Sequence, residues 1–331
     1  MPVALITPHA LQSPSSSYAT RLREAGFEVR YPSNREATLG TTNVDDVIAA
    51  WRGAHGVLAG GEWCTKELMD ALPDLRVIAR VGVGYDRVDV EAATERGIAV
   101  TITPNSNHEC VAEHALALLF AAARSIATHD RALRAGEWRR SDLIPLRGRT
   151  IGILGLGRIG RSLAVRARAL GMAVLACDEL ADEVFAATNE VEIVDLEGLL
   201  ARSDFVSLHC PLNESTQSMF DAGLFAKMKE GSIFINTARG GLVVEDDLVA
   251  ALESGHIARA GLDVFVEEPL PADHAFLGIE NVVLAPHLGG ADQTSLENMG
   301  LESADNIIRL HGGDWPSGNV VNEELSASWK W

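Results

Sequence analysis

"ILGLGRIG", residues 153–160, places glycines at 155, 157 and 160 behind an apolar run and ahead of an arginine-rich stretch. Such a segment either cradles a dinucleotide or makes a tight strand-to-helix turn, and the glycines alone do not separate the two. The flanks do. "TIGIL" (150–154) reads as a strand, and "RIGRSLAVRARALG" (158–171) reads as a helix with Ile159, Leu163, Val165 and Leu170 as its apolar positions and Gly171 as its stop. In that order each glycine has its own use. Gly155 makes the turn, Gly157 lets the backbone approach a pyrophosphate, and Gly160 lets helix and strand pack closely. The N–H groups that open the helix then face the phosphates.

The next run, "AVLACD" (173–178), ends in Asp178, eighteen residues beyond Gly160. An acid there accepts the adenosine ribose hydroxyls and, with Glu179 beside it, repels a 2′-phosphate, which predicts NAD over NADP. A second glycine pair, in "RVGVGYDRVD" (80–89), also follows a strand but lacks the third glycine. Its amides either hold a smaller anion such as a carboxylate or form an ordinary turn.

The chain has 331 residues, 47% of them apolar, and a formal net charge of −18. The length predicts two domains, and the acidic balance argues against nucleic acid and anionic lipid surfaces as partners. Cys64, Cys110, Cys177 and Cys210 form no C-x-x-C pair, which points to buried thiols in a cytoplasmic protein. "MPVALITPHA" has no basic segment ahead of a long apolar core and reads as a first strand; the apolar stretch around 115–123 is too short to span a membrane.

Strand-like runs recur at 3–7, 27–31, 56–60, 75–79 and 98–102, and again at 150–154, 173–177, 204–209, 232–236, 260–265 and 281–286. The rhythm is that of two α/β units in tandem, each with a parallel sheet and crossover helices. "HECVAEHALALLFAAARSI" (108–126) reads as one buried helix between them, and "SLENMGLESADNIIRLHGG" (295–313) as a helix that carries the chain back to the first unit. The expected division is 1–107 plus 300–331 for one domain and 108–299 for the other.

Ligands of an open α/β sheet sit beyond the carboxyl ends of its strands. Arg239 follows "SIFIN", Glu267 and Glu268 follow "AGLDVF", and His287 follows "NVVLAP". Each has an ordinary reading as a surface or loop residue. Together they make a set: reducing a 2-oxo acid needs a guanidinium for the carboxylate and carbonyl oxygen, an acid for the developing alkoxide, and an anion to keep that acid protonated. Of the ten histidines, His209 also ends a strand but has no neighbouring arginine or acid, and no histidine or carboxylate cluster suggests a metal.

At this point the sequence resembles the D-isomer-specific 2-hydroxyacid dehydrogenases, through "VGVGYDRVD", "VAEHALALL", "LRGRTIGILGLGRIG", "HCPLNEST", "NTARGGLV", "AGLDVFVEEPLP", "APHLGG" and "NVVNEEL". The resemblance implies two Rossmann-like or flavodoxin-like domains with parallel sheets, NAD and a small-molecule 2-oxo or 2-hydroxy acid in the cleft between them, and a homodimer. It makes 108–299 the NAD-binding domain and the remainder the substrate-binding domain. It places catalysis on Arg239, Glu268 and His287 and the substrate carboxylate on Val83 and Gly84. It places cofactor contacts on Arg158, Ile159, Asp178, His209, Pro211, Thr216, Thr237, Ala238, Asp263 and Gly289, beside the loop glycines.

Arg80 resembles an arginine of the 3-phosphoglycerate dehydrogenases. It either reads a phosphate on the substrate or makes a structural salt bridge. The likeness is to their short form, without the extra C-terminal regulatory domain, so serine feedback through such a domain is not expected. "TPNSN" (103–107), Tyr85 and Asp292 depart from the family pattern and bear on selectivity. The implied substrates are 3-phosphohydroxypyruvate, hydroxypyruvate or glyoxylate. Some family relatives serve as corepressors, so an NAD(H)-sensing binding protein is the other reading.

Overall fold

The computed structural model describes residues 1–33 and 43–331. The chain divides into two compact units, residues 1–107 with 290–331 and residues 108–289.

The first unit alternates β1 (Val3–Ile6), α1 (Ser17–Glu24), β2 (Glu28–Arg30), α2 (Val44–Trp51), β3 (Gly56–Ala59), α3 (Lys66–Asp70), β4 (Val77–Arg80), α4 (Val90–Glu95) and β5 (Ala99–Thr101). The strands form one five-stranded sheet in the order β2-β1-β3-β4-β5. All pairings are parallel. β1 and β3 are buried along their whole length, which explains why both read as unbroken apolar runs and not as alternating ones. Side chains start the helices: Ser16 accepts from the Ala19 amide, Thr65 from Leu68 and Asp89 from Ala92. The β5 edge is covered by the C-terminal segment, where Thr101 pairs antiparallel with Val320 and Asn322 bonds both Val100 N–H and the Ile98 carbonyl.

The second unit continues with α5 (His108–Ala123), α6 (Ile126–Arg134), β6 (Thr150–Leu154), α7 (Arg158–Ala169), β7 (Ala173–Cys177), α8 (Glu183–Thr188) and β8 (Val191–Ile193). Then follow α9 (Leu196–Arg202), β9 (Phe205–Leu208), α10 (Ala222–Lys227), β10 (Ser232–Asn236), α11 (Glu245–Glu253), β11 (Ile257–Leu262) and β12 (Val282–Leu284). The seven strands run β12-β11-β10-β9-β6-β7-β8, so the order reverses between β6 and β9 and leaves a crevice at their carboxyl ends. One face packs Phe220, Phe225 and Phe234, with centroids 5.2–5.7 Å apart. The other face takes Leu118, Leu119 and Ala122 of α5 with Leu163 and Ala167 of α7.

Four expectations change. The helix expected over 108–126 ends at Ala123, because Ser125 adopts a left-handed backbone with φ 50°, and α6 leaves it at 58°. β8 is an additional strand. β11 ends at Leu262 and leaves Asp263 beyond the strand. The return to the first unit falls at Gly290 and not at residue 300, because α12 (Gln293–His311) is one continuous helix. Asp292 caps that helix by accepting from the Ser295 amide at 2.6 Å. Among the described residues no single helix is long and apolar enough to cross a membrane.

Helix α12 lies on α1 through Gly300, where an added Cβ would meet Tyr18 Cδ1 at 2.5 Å. The Tyr18 ring is buried and its hydroxyl is fixed to the Leu11 carbonyl at 2.8 Å, so it has no room to yield. Gly300→Ala is therefore expected to destabilise by about 1–3 kcal/mol through overpacking, which outweighs the gain of up to about 1 kcal/mol in helix propensity. A urea midpoint equal to or above that of the parent chain would contradict this packing.

Candidate active site

The glycine loop sits at the β6 end of the reversal crevice. Gly155 has φ +98°, and an added Cβ would meet the His209 and Cys210 backbone at 2.6–2.7 Å. Only glycine takes that conformation and that approach without strain. A Cβ at Gly160 would strike the Gly155 carbonyl oxygen, so these two positions serve the fold itself. Gly157 differs: a Cβ there meets nothing within 4 Å. The protein does not need a glycine at 157 for packing, and the open space lies at the N-terminus of α7, where Gly157 is the N-cap residue and Arg158 and Ile159 form the first turn. A pyrophosphate fits that space and the helix start.

Around it stand the other candidate dinucleotide contacts. Asp178 Oδ2 accepts from the Leu156 amide at 2.6 Å and Oδ1 from the Leu180 amide at 2.8 Å. Each oxygen keeps acceptor capacity for a ribose hydroxyl. His209 follows β9, with Nε2 2.8 Å from Ser207 Oγ. Burial pushes its imidazole down to about 4, so the ring is neutral near pH 7. Pro211 and Thr216 close a short loop, the Thr216 hydroxyl donating to the Pro211 carbonyl at 2.7 Å. Thr237 and Ala238 follow β10. Among the described residues His209 Nδ1 and Thr237 Oγ1 are buried without a hydrogen-bond partner. Two such atoms, one of them on the residue whose backbone meets Gly155 and the other at the end of β10, fit a polar ligand of dinucleotide type.

The structure gathers the polar residues beyond β10, β11 and β12. Arg239 lies in the turn after β10, which Asn236 shapes by bonding the Arg239 carbonyl at 2.9 Å and the Ala238 amide at 3.0 Å. A Cβ at Gly240 would collide with the Phe265 backbone, so this turn packs directly on the segment leading to Glu268. Glu268 is 17% exposed in its side chain, and its Oε2 lies 2.8 Å from Nδ1 of His287. Its Oε1 accepts from the Phe265 amide at 3.1 Å. A carboxylate at Nδ1 fixes that nitrogen as the N–H and leaves Nε2 as the atom that takes or gives a proton. The His287 side chain is 47% exposed.

Asp263 is placed to hold this arrangement. It is 1% exposed. Its carbonyl accepts from the His287 amide at 2.8 Å, and its carboxylate accepts from Leu288 at 2.8 Å and Gly289 at 2.7 Å. A Cβ at Gly289 would lie 2.8 Å from Asp263 Oδ2. Asp263 and Gly289 thus brace the His287 loop in this structure. His114 Nε2 lies 3.2 Å from Asp263 Oδ1. Sequence reading misses His114 and Asn236 as site residues; the one available signal was the position of His114 inside "VAEHALALL".

In the first unit, Arg80 ends β4 and its Nε donates to the Gly84 carbonyl at 3.2 Å. Val83 and Gly84 are half-buried in the loop beyond that strand. Gly82 is tied to Thr103, its amide donating to Thr103 Oγ1 and its carbonyl accepting from Thr103 N–H, each at 3.0 Å. Among the described residues no group of three or more His, Cys, Asp or Glu is placed to hold a metal ion.

Residues 116–289 match the model of the D-isomer specific 2-hydroxyacid dehydrogenase NAD binding domain. A glyoxylate reductase of Korarchaeum cryptofilum is 45% identical over 78% of this chain and 80% of its own length. A D-3-phosphoglycerate dehydrogenase of Mycobacterium leprae is 38% identical over 98% of this chain, which spans 61% of that longer protein. The solved D-lactate dehydrogenase of Aquifex aeolicus, complexed with NAD and lactic acid, superposes with a TM-score of 0.82 at 26% identity, covering 96% of this chain and 98% of that one. The chain belongs to the D-isomer specific 2-hydroxyacid dehydrogenase family. It is an NAD-dependent oxidoreductase acting on 2-hydroxy acids.

Two outcomes follow from the site geometry. Gly157→Ala leaves the melting temperature of the free protein unchanged, since its Cβ meets no protein atom, and raises the NADH dissociation constant by about tenfold or more as the methyl enters the phosphate space. Equal NADH affinity would contradict the cradle. His209 titrates near 6.5 in the unfolded chain but near 4 when folded, so its contribution to stability is present above pH 6.5 and is lost as pH falls toward 4. His209→Gln is expected to flatten that acid-side decline by up to about 3 kcal/mol, read as urea stability between pH 7 and pH 4.

Proposed function

We propose that this chain reduces a small 2-oxo acid of the glyoxylate, hydroxypyruvate or 3-phosphohydroxypyruvate type, with Arg239, Glu268 and His287 as its working set. The observation that carries the reading is the 2.8 Å contact between Glu268 Oε2 and Nδ1 of an exposed His287. The names of two relatives, a glyoxylate reductase and a D-3-phosphoglycerate dehydrogenase, support the substrate class.

Gly155, Gly157, Gly160, Asp178, His209 and Thr237 would hold the dinucleotide, with Arg158, Ile159, Pro211, Thr216 and Ala238 around it. Bound NADH supplies the hydride. Arg239 pairs with the oxo acid and draws electron density toward the carbonyl oxygen. The Val83 and Gly84 segment of the first unit takes the substrate carboxylate through backbone N–H groups. His287, charged and paired with Glu268, gives its Nε2 proton to the oxygen as it becomes a hydroxyl. In the oxidative direction neutral His287 removes that proton, and the Glu268 carboxylate stabilises the imidazolium that results.

The reading includes a homodimer in the cytoplasm. The exposed apolar side chains Ile126, Leu133, Trp138 and Leu143 in the second unit support a second copy as the partner. Cys64, a deeply buried thiol pushed up to about 12, supports a structural thiol of the kind a reducing compartment preserves.

NADH oxidation followed with glyoxylate, hydroxypyruvate, pyruvate and 3-phosphohydroxypyruvate in parallel tests the substrate class. His287→Ala is expected to lower kcat by about 10²–10⁴-fold, with NADH affinity kept. Turnover surviving in His287→Ala would remove His287 as the proton donor, and no turnover of the parent chain with any of the four acids would overturn the proposed substrate class.

A further inference from the structure

Glu268 is carried by a segment that the core does not hold. From Asp263 to His274 the chain has neither helix nor strand, and between Phe265 and Phe276 no side chain is buried. A carboxylate set 2.8 Å from an imidazole nitrogen needs a firmer mount than that. Hydrogen bonds supply it at both ends of the segment, and both ends lead to one acid outside it, Glu245.

Glu245 opens α11, the helix that follows the Arg239 turn. Its side chain is 16% exposed, and both its oxygens face the Glu268 segment. Oε1 accepts from the Val266 amide at 3.0 Å, and Oε2 lies 3.2 Å from Nε2 of His274. The Phe276 amide donates to Nδ1 of the same ring at 3.2 Å, so Nδ1 carries no proton and the ring N–H is at Nε2, where it donates to Glu245. His274 is thereby a neutral link between the carboxylate and the short 3₁₀ turn Ala275–Gly278 that it caps. Phe276 in that turn is 1% exposed and belongs to the core of this unit, so the far end of the segment is fixed.

The near end is held as closely. Glu268 Oε1 accepts from the Phe265 amide, and the next amide along, that of Val266, is the one Glu245 takes. Peptide planarity makes the Phe265 carbonyl and the Val266 N–H one rigid unit. A Cβ at Gly240 would collide with that same unit, so the Arg239 turn abuts the peptide that Glu245 holds.

We propose that Glu245 is a positioning residue for the reaction: through the Val266 amide and His274 it holds the segment that carries Glu268, and so keeps the Glu268 carboxylate on Nδ1 of His287. The inference rests on the reading of Glu268 and His287 as working residues. Loss of Glu245 or of its link to His274 is then felt in the chemical step and not in the binding of oxo acid or dinucleotide.

Steady-state reduction of glyoxylate and hydroxypyruvate by the full chain tests this, with NADH binding read by fluorescence and folding by the melting temperature. Glu245→Gln keeps an oxygen for the Val266 amide but sets an amide NH2 against the Nε2 proton of His274. His274→Asn keeps a side-chain oxygen to cap the turn, while its shorter side chain gives up the bond to Glu245. Each is expected to lower kcat by about tenfold, with KM and NADH affinity within about twofold; His274→Asn carries the test if Glu245→Gln fails to fold. Combination with Glu268→Gln gives a readout that a general loosening of the fold would not move: once Glu268 has lost its charge, adding Glu245→Gln lowers kcat no further. Losses that multiply in the double variant overturn the proposal, as does the parent kcat in either folded single variant or a loss of NADH affinity that matches the loss of kcat. Glu268→Gln with the parent kcat overturns the reading of Glu268 itself. A lowered kcat there beside the parent kcat in Glu245→Gln leaves that reading standing and overturns the role of Glu245.

Discussion

Three successive backbone N–H groups, those of His287, Leu288 and Gly289, converge on one buried aspartate, Asp263. Much of the candidate site depends on this convergence. His287 has φ 54°, a left-handed backbone that costs a non-glycine residue about 1–2 kcal/mol. Hydrogen bonds to a charged acceptor contribute about 1.5–3 kcal/mol each, enough to offset that strain. The result is an imidazole presented at a fixed angle beyond β12, with Glu268 behind its Nδ1. The loop needs glycine at 289 because its Cβ position abuts the Asp263 carboxylate.

The dinucleotide half of the site uses space differently. The reversal of strand order between β6 and β9 opens a crevice, and Gly155 and Gly160 close the turn that borders it. Both are demanded by packing within the protein. Gly157 is demanded by nothing in the protein, and the buried polar atoms of His209 and Thr237 lack partners within it. Positions that the fold leaves underdetermined are where a ligand completes the structure. In the first unit Arg80 and Thr103 hold the loop after β4 through the Gly84 carbonyl and both polar groups of Gly82.

Much of this was legible in the sequence because parallel strands buried on both faces leave unbroken apolar runs, as in "VALI" and "SIFIN". The polar residues that follow those runs then stand out. Strand β8 did not stand out, because "VEI" is three residues long and mostly exposed. The stop at Ser125 was not legible, since a single left-handed residue leaves no mark on hydrophobic periodicity. Residue 300 lies inside α12, and the cap at Asp292 that fixes the start of that helix is a local hydrogen bond. The bracing role of Asp263 was illegible because its burial depends on chain segments far away in sequence, and a carboxylate in a loop otherwise reads as solvated.

In the proposed reaction a 2-oxo acid held by Arg239 takes a proton from His287 on its carbonyl oxygen and a hydride from NADH on one face of its carbonyl carbon. The most direct measurement is the configuration of the product formed from hydroxypyruvate and NADH, resolved by chiral chromatography with NADH consumption followed in the same reaction. The expected product is D-glycerate alone, in one-to-one proportion to the NADH oxidised. L-glycerate, a mixture of enantiomers, or NADH loss without glycerate would contradict that mechanism.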